Sequence, residues 1–232
     1  NVTKLLPNNK GVVIVKHANP CGVSINQSKL KSFKEALESD PISAYGGIVS
    51  CNFRMNINLA KEINKIYFEI IIAKGFDKKS IHLLKKKKNL RIIDISKYNQ
   101  INKLKIKTFD SSFLIQDKDS TIFSKKNLRV VTKLKPTKKE LEKIKFAFNV
   151  CKYVKSNAIV LTNNFTTIGI GAGQPSRLDS CKIATQKAKK FQSKKIKGSI
   201  AASDAFFPFA DGVKNLISAG IKIIVQPGGS IR

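Results

Sequence analysis

Apolar and polar positions follow two rhythms along this chain. Short runs rich in β-branched residues, at 12–15 (Val-Val-Ile-Val), 48–50, 69–73 and 90–95, predict buried strands. Between them, apolar residues three and four apart predict helices over 28–37, 58–68 and 77–87. The first carries Leu30, Phe33, Ala36 and Leu37 on one side and ends at Asp40-Pro41; the second takes Asn58 as its N-cap. Residues 1–10 and 96–111 read as polar, irregular chain. The alternation then resumes with strands at 113–116 and 130–132. Thr137 and Glu140 stand at capping-box spacing and open a helix that extends to 155. Strands at 158–161 and 167–170 follow, joined by an Asn163-Asn164 turn. Then come a helix over 179–191, a short helix over 213–219 and a strand over 221–225. Strand and helix alternating twice over predict an α/β fold with its divide near residues 120–127.

Four stretches interrupt this pattern with chemistry. Lys16-His17-Ala18-Asn19-Pro20-Cys21-Gly22 follows the first strand, and Pro20 and Gly22 are expected to stop any strand or helix there. A Lys and a His then sit side by side at a strand end, where α/β sheets bind ligands. Taken alone, such a pair is more often a solvated cap and a satisfied loop histidine. Gly46-Gly47 allows a close backbone approach or simply a turn. Gly169-Ile170-Gly171-Ala172-Gly173 leads to Arg177 in the strand, Gly-rich loop, helix layout of a phosphate cradle. It matches neither the dinucleotide fingerprint nor the P-loop. Phe206, Phe207 and Phe209, flanked by Asp204 and Asp211, read equally as core or as a flat slot for an aromatic ligand.

Composition narrows the classes. The 232 residues are 42% hydrophobic, enough for one large or two modest domains, and no apolar run reaches membrane-span length. Cys21, Cys51, Cys151 and Cys181 are scattered, which reads as reduced thiols of a cytoplasmic protein. The net charge of +29 raises the prospect of a nucleic-acid partner. Only five of the 44 basic residues are Arg, and the Lys runs lack interleaved aromatics, which speaks against base readout and single-strand binding. Solvated faces account for most of the charge, and such a surface would still draw in small anions.

Taken together, the stretches 16–23, 40–48, 69–73, 89–91, 129–133, 155–160, 169–177, 202–212 and 226–232 resemble the formyltransferase region of the AICAR transformylase/IMP cyclohydrolase family, in order and spacing over nearly the whole chain. The resemblance implies two cytidine-deaminase-like three-layer α/β units, 1–125 (N-terminally incomplete) and 126–232 (C-terminally incomplete). It implies formyl transfer from 10-formyltetrahydrofolate to AICAR, giving FAICAR on the way to IMP. The cyclohydrolase domain of the family would lie outside this chain. Lys16, His17 and Asn157 match the catalytic positions. Gly46, Glu69, Lys88, Arg177 and Phe206 match nucleotide contacts, and Leu178, Pro208 and Asp211 match the folate side. The family also places a monovalent cation, K+, near Ser156 and Asp204, and builds its sites across a cytoplasmic homodimer. A deaminase zinc site needs His-x-Glu and Pro-Cys-x-x-Cys. His17-Ala18-Asn19 and Pro20-Cys21-Gly22-Val23-Ser24 fit neither, so no zinc is expected. Lys74, Pro175 and Ala210 depart from the family's usual residues. The alternative class is a non-catalytic anion- or nucleic-acid-binding relic of the same fold.

Overall fold

The computed structural model describes residues 2–7, 9–98, 104–117, 119, 123 and 128–230. Its centre is a mixed sheet of nine strands. The first half supplies β1 (Gly11–Lys16), β2 (Asn19–Ile25), β3 (Gly47–Cys51), β4 (Phe68–Ala73) and β5 (Arg91–Asp94). An exposed ribbon, β6 (Leu104–Phe109) and β7 (Ser112–Asp117), stands apart from that sheet. The second half adds β8 (Ile159–Asn163), β9 (Thr166–Gly171), β10 (Ile200–Ser203) and β11 (Ile223–Val225). The sheet order is β11-β10-β8-β9-β2-β1-β3-β4-β5.

The helices are α1 (Val2–Leu5), α2 (Lys29–Ser39), α3 (Pro41–Ala44), α4 (Ile57–Asn64), α5 (Lys78–Lys85), α6 (Lys138–Cys151), α7 (Arg177–Gln192) and α8 (Ala210–Ser218). The period-2 alternation of strands sorts side chains between two layers. Val12 and Ile14 of β1 pack with Phe33 of α2 and Leu59 of α4, whereas Val13 packs with Ile144 and Val150 of α6. In β8, Ile159 and Leu161 face Ala184 of α7 and Leu216 of α8, whereas Val160 faces α6. The result is a three-layer α/β arrangement, with α6 and α1 on one face of the sheet and α2, α4, α7 and α8 on the other.

The topology repeats. β1 and β2 form an antiparallel hairpin, β3 runs antiparallel to β1, and β4 runs parallel to β3. β8, β9, β10 and β11 have the same relations. β2 and β9 meet antiparallel through Ser24 and Thr166, so one repeat is turned end for end relative to the other. The C-terminal ends of β1, β9, β10 and β11 and the N-terminal ends of β2, β3, β4, β5 and β8 therefore share one rim of the sheet.

Helix and sheet approach unusually closely at three glycines. A Cβ on Gly22 would lie 1.8 Å from the Ala36 carbonyl oxygen; Cβ atoms on Gly169 and Gly171 would lie 2.2 Å and 2.0 Å from those of Ala184 and Ser180. Gly169 and Gly171 thus lie within β9 and let α7 pack directly on it, so they are not part of an open phosphate cradle. Asp40, buried, receives an ion pair from Lys187 at 2.7 Å, which ties α7 to the end of α2.

Several elements differ from the sequence expectation. Pro20 and Gly22 do not end a strand; both lie inside β2. Val15 pairs with Pro20 and Ile14 with Gly22, which leaves Cys21 as the extra residue of a bulge, the setting in which a strand tolerates proline. Asn56, not Asn58, caps α4, through its Oδ1 and the Leu59 N–H, and Phe68 opens β4. Residues 104–109, expected to be irregular, form β6, and 130–132 are not a strand. β10, short and Ala-rich, had no sequence expectation. Residues 2–5 are helical, with Val2 and nearby Leu6 buried. The expected divide at 125–126 lies outside the described residues. The Thr137–Glu140 capping box forms as expected, with Thr137 accepting from the Glu140 N–H and Glu140 from the Thr137 N–H.

The close packing of α7 yields a test. Gly171→Ala should lower the urea-unfolding stability by on the order of 1–3 kcal/mol, because a Cβ must displace the backbone of α7. An unchanged midpoint would mean that the helix is not seated on β9 as described.

Candidate active site

Each matched site residue lies at or next to the shared rim. β1 ends at Lys16, and the turn to β2 is made by His17 and Ala18, with φ of 47° and 67°. Two consecutive residues with positive φ meet the demand of a type I′ hairpin, the turn whose twist matches its strands. Neither is glycine, so left-handed backbone costs on the order of 1 kcal/mol at each. The turn leaves the His17 side chain exposed at the rim.

Two clusters flank this turn. In the first, the Lys16 ammonium donates to the Tyr45 carbonyl oxygen at 2.8 Å and crosses over Gly46. A Cβ on Gly46, whose φ is 67°, would lie 2.9 Å from Lys16 Nζ, 3.6 Å from Tyr67 Cε1 and 3.7 Å from Glu69 Oε1. Here Gly46 provides both a turn and a close approach, the two alternatives its sequence left open. The Tyr45 and Tyr67 rings pack against each other at a tilt of 49°, with centroids 5.4 Å apart. Lys88, exposed, lies just before β5 at this end of the sheet.

The second cluster is built around Arg177, the first residue of α7. Its Nη1 donates to Asp204 Oδ1 at 2.5 Å and to Ser203 Oγ at 2.8 Å; its Nη2 donates to Asn157 Oδ1 at 2.6 Å. Asn157 Nδ2 donates to the carbonyl oxygens of Gln174 and Pro175, at 2.8 and 2.9 Å, which fixes its amide orientation. Asp204 also accepts from the Ser156 hydroxyl and from the Ala158 N–H. Burial alone would raise the Asp204 pKa, but the hydrogen bonds from Ser156 and Arg177 outweigh it and hold the carboxyl below its usual range. Three of the five Arg177 N–H donors are thus engaged within the protein. The side chain is largely buried, 9% exposed, and it organises the rim at least as much as it could face a ligand.

The aromatic stretch divides. Phe207 is core, packed under α8, with its N–H bonded to Gln226 Oε1; Phe206 and Phe209 are exposed at 40% and 55%. Leu178 is half-buried at the start of α7, and Pro208 and Asp211 are exposed on the loop and first turn of α8. Burial pushes the Cys21, Cys51 and Cys181 thiols up to about 12 and raises Cys151 as well, so no cysteine here is a thiolate nucleophile near neutral pH. Among the described residues no group of three His, Cys, Asp or Glu side chains is placed to hold a metal ion, and no helix is long and apolar enough to cross a membrane. At Ser156 and Asp204, both carboxylate oxygens accept hydrogen bonds, one of them from the Arg177 guanidinium.

The two clusters lie on β1, β3 and β4 and on β8, β9 and β10. Three strand spacings separate β1 from β8, about 14 Å at the usual interstrand distance. Sequence reasoning did not single out Tyr45, Tyr67, Ser203 or Asn19, although Asn19 sits two residues from His17 in the stretch that drew attention. Tyr45 acts through its carbonyl and Ser203 through a hydroxyl at a strand end, neither of which leaves a motif.

Comparison with known proteins gives a consistent result. A sequence model of the family described as AICARFT/IMPCHase bienzyme matches residues 2–187. Proteins named bifunctional purine biosynthesis protein PurH are similar along the chain. That of Leptospira biflexa serovar Patoc is 43% identical over 233 aligned positions, covering 100% of this chain and 45% of the relative. That of Persephonella marina is 46% identical and that of Buchnera aphidicola subsp. Schizaphis graminum 48%, each over 95% of this chain and 42% of the relative. The chain thus spans less than half the length of these curated relatives.

The Arg177–Asp204 pair sets an acid limit on stability. A carboxyl held below its unfolded pKa of about 3.9 contributes stability that is complete above that value and is lost as pH falls through the folded pKa. Asp204→Asn should cost on the order of 2 kcal/mol at pH 7, with the difference from wild type shrinking below about pH 4. Urea titrations at pH 7, 5, 4 and 3 check this. A constant difference down to pH 3 would remove Asp204 as the source.

Proposed function

The chain belongs to the AICARFT/IMPCHase bienzyme family, and on that premise we propose that its rim carries out formyl transfer from 10-formyltetrahydrofolate to the 5-amino group of AICAR. The observation that carries the reading is topological. Lys16, His17, Gly46, Glu69, Lys88, Asn157, Arg177, Leu178, Phe206, Pro208 and Asp211 come from distant parts of the sequence, and strand direction alone puts them at one rim.

In this reading the AICAR amine attacks the formyl carbon of the folate. His17, exposed in its turn, accepts the proton that the amine loses as the new C–N bond forms. The Lys16 ammonium, held over Gly46, stabilises the oxygen of the tetrahedral adduct. The adduct collapses by breaking the bond from carbon to the folate N10, which takes up a proton as tetrahydrofolate leaves; FAICAR keeps the formyl group. Asn157, locked by Gln174 and Pro175, orients the amine or formyl group. Glu69, Gly46 and Lys88 hold the nucleotide from one side. Phe206 and the remaining donors of Arg177 hold it from the other, with Leu178, Pro208 and Asp211 toward the folate. The monovalent cation stays an expectation of the family, and no step depends on it.

The rest of the proposal is coarser. The two topological repeats are read as cytidine-deaminase-like units, 1–125 and 126–232. The enzyme is read as a cytoplasmic homodimer with shared sites, and its parent as also carrying IMP cyclohydrolase activity. The repeat of sheet order supports the first of these readings, and the family the others.

The test is steady-state release of tetrahydrofolate by the full-length protein, supplied with AICAR and 10-formyltetrahydrofolate. His17→Ala should lower kcat about 100-fold or more, the scale of a lost acid/base group. Equal turnover by variant and wild type would show that His17 is not the proton acceptor. A folded wild-type protein without turnover would favour the anion-binding alternative.

A further inference from the structure

The backbone ladder that joins the two topological repeats is short. β2 and β9 pair through Ser24 and Thr166, supplemented by the Ile25 N–H on the Phe165 carbonyl oxygen and the Val23 N–H on Thr167 Oγ1. All of these lie toward the end of the sheet away from the rim. Asn19 lies four residues from Val23 along β2, about 13 Å nearer the rim at the usual rise per residue. The ladder therefore does not hold the His17 turn against the Asn157 loop.

One side chain does. Asn19 pairs with Lys16 across the turn, and its Oδ1 accepts the backbone N–H of Lys155 at 2.9 Å. The Lys155 carbonyl oxygen in turn accepts from the Gly173 N–H at 2.8 Å, and the Asn157 N–H donates to the Gln174 carbonyl oxygen at 3.2 Å. Asn157 then contacts Arg177. A continuous path of bonds thus runs from the turn that carries His17 to the loop that carries Asn157. Among the described residues, the Asn19–Lys155 bond is the one hydrogen bond that joins that turn to residues 155–157.

We propose that Asn19 is a positioning residue for the transfer step, a clasp that sets the distance between His17 on one repeat and Asn157 on the other. The proposal rests on the formyl-transfer reading above. A proton acceptor and an orienting amide that act on one amine must keep a fixed separation, and displacements near 1 Å cost reaction rate far more than binding. The bond needs only a side-chain acceptor of the right length at position 19. Asn and Asp both reach; Ala and Ser do not.

The experiment uses the full-length protein, with turnover measured beside hydrogen exchange at the Lys155 amide. Asn19→Ala and Asn19→Ser should speed exchange at Lys155 and lower kcat about 10- to 100-fold, with KM for either substrate changed less than about threefold. Asn19→Asp should keep slow exchange and most of kcat. If Asn19→Ala fails to fold, the contrast between the Ser and Asp variants decides. Fast exchange at Lys155 with undiminished kcat overturns the proposal, because the clasp then exists without positioning anything. Slow exchange in the Ala and Ser variants overturns it as well, by removing the bond. Absent turnover in a folded wild-type protein strikes the formyl-transfer reading itself, whereas the Lys155 exchange rate still reports whether the clasp is there.

Discussion

The site depends on a reversal of the chain in two residues. His17 and Ala18 adopt left-handed backbone so that β2 can return beside β1 with Lys16 opposite Asn19. β1 is buried on both faces, so its register is strongly specified: a slip of one residue would exchange Val13 with Val12 and Ile14 between the two cores. The bulge at Cys21 absorbs the one irregularity within the pairing. With the turn fixed this way, Lys16 reaches Tyr45 and Gly46 on one side, and Asn19 reaches Lys155 on the other. A longer or more flexible turn would satisfy the ladder equally well but would not fix both reaches at once.

The end-for-end relation of the two repeats has a chemical consequence. A repeated unit used in the same orientation would present equivalent ends to a ligand. Here the C-terminal end of β1 and the N-terminal end of β8 lie on the same rim, so that rim combines a hairpin turn from one unit with a helix start from the other. The electrostatics are correspondingly unlike. The hairpin side offers an ammonium over glycine and a nearby carboxylate; the helix side offers a guanidinium already neutralised by Asp204. In a chain with 15 acidic residues against 44 basic ones, the acids stand out at structural joints: Asp204 on Arg177, Asp40 on Lys187, Glu140 in the cap of α6. The surplus of lysine needs no role in the fold, and it gives the surface a field that favours anionic substrates.

Much of the fold was legible because local chemistry and burial agreed. The α6 capping box, the β1 run and the alternation of strand and helix are read directly from residue types. The failures have physical causes. Pro20 and Gly22 are strand breakers in isolation, but a bulge accommodates the one and a helix carbonyl packed against the strand requires the other. β6 interleaves Lys105 and Lys107 with apolar residues in an exposed ribbon, so no burial signal separates it from loop. Asn56 and Asn58 are equal candidates for a cap until the backbone chooses. At the site, the residue types were legible one by one, and the family resemblance grouped them. Their convergence on one rim was not, because it follows from strand direction across nine strands. Nor was the internal engagement of Arg177, which depends on Asp204 and Ser203 at the end of a strand that the sequence did not announce.

On the proposed function, one rim of this sheet moves a formyl group between two bound molecules. The most direct measurement is to give the full-length protein 10-formyltetrahydrofolate labelled in the formyl carbon, together with AICAR, and to follow the label. The proposed transfer predicts that it appears in the formyl group of FAICAR in step with the tetrahydrofolate released. Label found only in free formate, or retained on the folate by a folded protein, would contradict it.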